Sequence, residues 1–82
     1  MSMYDFKTLP KLVQSAVVRI ANDEPFNSAV AWTWDRSETD DRLAIDTWIV
    51  ANKHPLGSLP STRERRFGLL VRELIETAAT AA

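Results

Sequence analysis

The chain of 82 residues contains no cysteine, two glycines and one histidine. Without cysteine there is no disulfide staple, no thiolate nucleophile and no cysteine-ligated zinc site. Gly57 and Gly68 stand apart, so no glycine-rich phosphate loop exists. A Ser–His–Asp arrangement would have to be assembled around His54, beside Pro55, and no nucleophile elbow accompanies it. No apolar run approaches the roughly eighteen residues of a membrane span. The start, Met1-Ser2-Met3-Tyr4-Asp5-Phe6-Lys7, lacks the basic-then-apolar layout of a secretory signal. These absences lead us to expect a cytoplasmic, non-enzymatic protein with no cofactor, no metal and no membrane contact.

The acidic stretch from Asp35 to Asp46 places oxygen side chains at several calcium-loop positions. The sixth position, which needs glycine, holds Asp40, and the usual apolar eighth holds Arg42. Calcium is therefore not expected there.

Three tryptophans are the one excess, and 45% of the residues are apolar, which suits a folded domain rather than a disordered chain. At 9.3 kDa one domain, residues 1–82, is the natural reading. A chain this short buries a modest share of its surface. Trp32, Trp34 and Trp48 are then candidates to fill much of the core, or a partner chain supplies part of it.

Periodicity points to an all-α bundle of about three or four helices. Leu9, Leu12, Val13, Ala16, Val17 and Ile20 recur at helical spacing over 9–22, with Thr8 as the expected cap, Pro10 in the first turn and Pro25 beyond the end. Phe67, Leu70, Val71, Leu74, Ile75 and Ala78 form one stripe over 62–78. Ser61 and Glu64 fit a capping box there, and the tail 79–82 is expected to fray. Gly68 weakens this helix and suggests a close helix contact. A third helix is expected over 40–53, capped by Ser37 or Thr39 and stopped by Pro55.

Residues 27–35 are ambiguous. Val30, Trp32 and Trp34 alternate as in a strand, yet Phe26, Val30 and Trp34 lie four apart as in a helix. The flanking helices and the lack of a second strand candidate favour helix. Trp32 and Trp34 would then point about 200° apart, so one of them reaches the surface, where a tryptophan is a common binding anchor.

The helix over 40–53 is apolar on two sides. Ile45, Trp48 and Ile49 make one face, and Leu43, Val50 and Ala51 the opposite one. A helix apolar nearly all round is either buried centrally or shared with a second chain.

The net charge of −1 hides an uneven distribution. Residues 1–52 carry five basic and eight acidic groups, and residues 53–82 carry five basic and three acidic. Arg63, Arg65 and Arg66 occupy the first turns of the last helix, where the helix dipole disfavours cations. No acidic residue three or four positions along relieves them. They either cover the edge of the core or await an anionic partner. If the last two helices form an antiparallel hairpin, Lys53 and these arginines share one end, and Glu73 and Glu76 share the other with Asp40 and Asp41.

The function expected from these features is non-catalytic: an interaction or regulatory domain that binds another macromolecule, with a homodimer as one form. The candidate partner-binding residues are Arg63, Arg65, Arg66 and Arg72, with Leu69 as an apolar centre between them and Trp32 or Trp34 as the anchor. The expected partner is an acidic protein surface or a second copy of the chain. Nucleic acid bound by the basic start of the last helix is the alternative, disfavoured by a sequence pI near 5.7. A further alternative is an inhibitor of a nucleic-acid-processing machine acting through the acidic segment.

Overall fold

Two short 3-10 turns, Phe6–Thr8 and Pro55–Ser58, punctuate four α-helices: α1 Lys11–Ala21, α2 Phe26–Asp35, α3 Thr39–Ala51 and α4 Arg63–Ala81. The computed structural model describes residues 6–58 and 60–81, with side chains as far as Thr77. There is no strand among the described residues, so the protein is an all-α bundle and the ambiguous segment is helix. The Cα radius of gyration is 11.9 Å, against about 11.7 Å for a compact globule of this length.

Several helix ends differ from the sequence reading. Thr8 does not cap α1. Phe6–Thr8 closes its own turn, with the Leu9 N–H donating to the Phe6 carbonyl at 3.2 Å, and Pro10 is the N-cap, with ψ at 143°. Pro25, expected to lie beyond the first helix, serves as the N-cap of α2. Neither Ser37 nor Thr39 caps α3. Glu38 does, and its backbone N–H donates to Asp41 Oδ2. The Ser37 hydroxyl is used in the preceding turn, where it donates to the Trp34 carbonyl and accepts from Arg42 Nε at 2.7 Å. The Ser61–Glu64 capping box is not formed among the described residues. Thr62 Oγ1 accepts the Arg65 N–H at 3.2 Å instead, and α4 begins at Arg63.

The scarcity of glycine shows at two helix C-termini. At the end of α1 the Glu24 N–H bonds the Arg19 carbonyl and the Asp23 N–H bonds the Ile20 carbonyl. At the end of α3 the His54 N–H bonds the Ile49 carbonyl and the Lys53 N–H bonds the Val50 carbonyl. Both are Schellman closures, which favour glycine at the left-handed position. Here that position holds Asp23, at φ 71°, and Lys53, at φ 50°. A side chain there costs about 1–2 kcal/mol of local strain.

The core draws on every helix. Leu12, Val13 and Ala16 of α1 meet Trp34 of α2, Ile45, Trp48 and Ile49 of α3, and Phe67, Leu70 and Val71 of α4. Trp34 stacks on Phe67 with ring centroids 5.6 Å apart. Fully burying one such side chain contributes about 1.5–3 kcal/mol. The tryptophan excess is thus mostly core, since Trp34 and Trp48 are buried while Trp32 is not. At Gly68 an added Cβ would meet Val30 Cγ1 at 3.7 Å, which is ordinary contact. The α2–α4 approach does not require this glycine. Gly57 is tighter, with Ile49 Cγ2 at 3.3 Å.

The antiparallel hairpin does not form. Asp46, in the middle of α3, pairs with Arg63 and Arg66 at the start of α4. His54, just beyond the end of α3, pairs with Glu73 further along α4. These contacts run in the same sense along both helices. Glu73 therefore sits beside His54 at the end of α3, not beside Asp40 and Asp41.

Candidate functional site

The arginines at the start of α4 are divided between two environments. Arg63 Nε lies 3.0 Å from Asp46 Oδ2, and the Arg66 guanidinium lies 3.2 Å from Asp46 Oδ1. Arg66 also donates to the Ser61 carbonyl. One carboxylate on the neighbouring helix thus holds two of the three cations that the α4 dipole disfavours. Arg65 stays exposed and has no ion pair among the described residues. Arg72 places its guanidinium 5.0 Å from the Phe26 ring centroid. Leu69 is half-buried against the core and lines an open groove of about 420 Å³ with His54, Leu56, Arg72 and Glu73.

Trp32 is 38% exposed, as two tryptophans on one helix require, and Trp34 is the buried member of the pair. The guanidinium of Arg19 sits 3.4 Å from the Trp32 ring centroid and that of Arg36 sits 4.1 Å from it. Arg19 also pairs with Glu24 at 3.1 Å. Both cations on Trp32 come from outside α4. The cations stacked on the sequence-derived anchor are therefore not the α4 arginines. Trp34 lies under Arg42, whose guanidinium donates to the Trp34 carbonyl at 2.8 Å.

His54 is buried rather than at the surface. The Leu56 N–H donates to its Nδ1 at 3.1 Å, and its Nε2 is hydrogen-bonded to Glu73 Oε2. A ring nitrogen that accepts carries no proton, so Nε2 is the protonated one and donates to the carboxylate. Both nitrogens are engaged, one with the chain just beyond α3 and the other with α4.

The remaining surface of α3 is different in kind. Val50 is 74% exposed and Leu43 is 40% exposed, on the side opposite the buried Ile45 and Ile49. Ala44, Thr47 and Ala51 continue this side of the helix and are also exposed. Asp40 and Asp41 stand in the first turn of the helix, and the next two charged residues, Arg42 and Asp46, turn away from this strip. Arg42 bonds Ser37 and the Trp34 carbonyl, and Asp46 binds the α4 arginines. From Leu43 to Ala51 the outer face therefore carries no charge. Two shallow grooves flank it. One runs past Pro10 and Trp48 and the other past Asp46.

Among the described residues, the fold is a small all-α bundle with an exposed apolar strip on α3. Comparison with protein-family models, curated proteins and solved structures finds no match for the chain.

The opposed faces of α3 were readable from the helical wheel. The turning of Arg42 and Asp46 was not, because it depends on which helices become neighbours. The Asp46–Arg63–Arg66 cluster spans up to twenty residues of sequence and carries no local signal.

Proposed function

We propose that the protein is a non-catalytic interaction or regulatory domain that works by binding another protein chain, and that the outer face of α3 is its contact surface. The observation that carries this reading is the exposure of Val50 and Leu43 along a charge-free strip of a helix whose opposite side is core. Single exposed apolar residues are ordinary on any surface. A continuous strip is less so, and continuous apolar surface marks contact sites.

Binding of nucleic acid through the start of α4 is less well supported, since Arg63 and Arg66 already face a carboxylate. An acidic-surface mimic loses Asp46 for the same reason. A photo-crosslinking residue placed at position 50, in cells of the source organism, tests the proposal. Position 28, exposed on α2, is the control. A discrete protein adduct at position 50 and none at position 28 is the expected result. No adduct at position 50, or the same adducts at both, would contradict it.

A further inference from the structure

We infer that the occupant of the α3 outer face is a second copy of this chain, with the two α3 helices packed antiparallel about a two-fold axis near Thr47. This rests on the reading of that face as a contact surface and adds the identity and register of the partner. At about 100° per residue, Asp40, Leu43, Ala44, Thr47, Val50 and Ala51 share one side of the helix, with Thr47 at the centre. A two-fold axis at Thr47 sets Leu43 of one copy beside Ala51 of the other, and Ala44 beside Val50. Each larger residue thus faces a small one. Alanine and threonine along the middle let the two backbones approach closely, within the roughly 8–10 Å typical of packed helices. The grooves on either side of the strip offer places for the facing ridge.

Charge selects the antiparallel arrangement. The strip ends in Asp40 toward its N-terminus, Lys53 follows just beyond the C-terminus of the helix, and both are exposed. Neither has an ion-pair partner among the described residues. In an antiparallel pair Asp40 of each copy comes to the Lys53 end of the other, twice over by symmetry. The helix dipoles also oppose each other. A parallel pair would bring like charges together at both ends. An acidic or basic foreign partner would be matched at only one end of the strip, whereas a second copy is matched at both.

A helix face of this length lies at the low end of specific interfaces, which bury roughly 1,200 Å² in total. The expected association is therefore reversible, with Kd in the micromolar range, about 1–100 μM. Sedimentation velocity across that range, on the full chain, reads it directly. The expected result is a rise from the 9.3 kDa monomer toward twice that mass. Val50→Asp should hold the chain at the monomer mass at every concentration. Its thermal unfolding in dilute solution should match the native chain, which separates loss of contact from loss of fold. If Val50→Asp does not fold, Thr47→Arg replaces it on the same strip.

The register is tested by exchange of charge. Asp40→Lys alone, and Lys53→Asp alone, should each weaken association about tenfold, because two attractive pairs become repulsive. The two changes in one chain should restore it. A native chain that stays monomeric throughout would overturn the inference, and so would a dimer indifferent to Val50→Asp. Failure of the double exchange to restore association would overturn the antiparallel register. A monomeric native chain that still yields a position-50 adduct with a different protein would leave the contact surface standing and remove the second copy as its occupant.

Discussion

Ile45 and Val50 sit on the same helix less than two turns apart, and they live in opposite surroundings. Ile45, with Trp48 and Ile49, is packed against Phe67, Leu70 and Val71 of α4 and the apolar face of α1. Val50, with Leu43, stands in solvent. The two faces are similar in hydropathy, so composition alone does not distinguish them. What distinguishes them is the placement of charge. Arg42 and Asp46 on the flanks of α3 each reach toward a neighbouring helix, which anchors the inner side and strips charge from the outer side.

The strongest way to break this comparison is a cut on the inner face. Ile45→Ala should cost about 2–5 kcal/mol, since the side chain is fully buried and the bundle around it closes only partly over the cavity. Urea or thermal unfolding measures this. A loss below about 1 kcal/mol would mean that the inner face is not the core.

Asp46→Ala should come next, at about 1 kcal/mol. The cluster with Arg63 and Arg66 is only partly buried, so solvent screens it. The effect should shrink as salt is raised. An Asp46→Ala variant as stable as the native chain at every ionic strength would show that the cluster does not anchor α3 to α4.

Lys53→Gly should stabilise the protein by about 0.5–1 kcal/mol, because glycine relieves the left-handed strain at the α3 terminus while adding some unfolded-chain freedom. A destabilised variant would contradict the Schellman geometry. Gly68→Ala should also stabilise, by a similar 0.5–1 kcal/mol, as its added methyl has room beside Val30. The smallest effect belongs to the outer face. Val50→Ala in dilute solution should change stability by less than about 0.5 kcal/mol.

The helix count was legible because it rests on local periodicity; helix for 27–35 followed from the flanking helices and the lack of a second strand candidate, and the split between Trp32 and Trp34 followed from helix. Helix ends were less legible. Thr8, Ser37, Thr39 and Ser61 all look like caps, yet the caps that form are Pro10, Glu38 and Thr62, since each end is decided by the turn that precedes it. The candidate site was half legible. The apolar outer face of α3 follows from the wheel, and the unusual position of the α4 arginines was visible as an electrostatic conflict. Its resolution by Asp46 was not visible, because a long-range pair depends on the direction in which α4 runs past α3. The same direction decides why Glu73 meets His54 instead of joining Asp40 and Asp41.

The inner face of α3 carries the packing of the bundle, and the proposed association belongs to its outer face. Urea unfolding repeated over a hundredfold range of protein concentration tests both at once. Association of folded chains raises the midpoint with concentration, by mass action. The native midpoint should rise with concentration, that of Val50→Asp should stay flat and equal to the dilute native value, and that of Ile45→Ala should be lower throughout. A native midpoint independent of concentration, or a Val50→Asp midpoint that falls as far as that of Ile45→Ala, would contradict the division between the two faces.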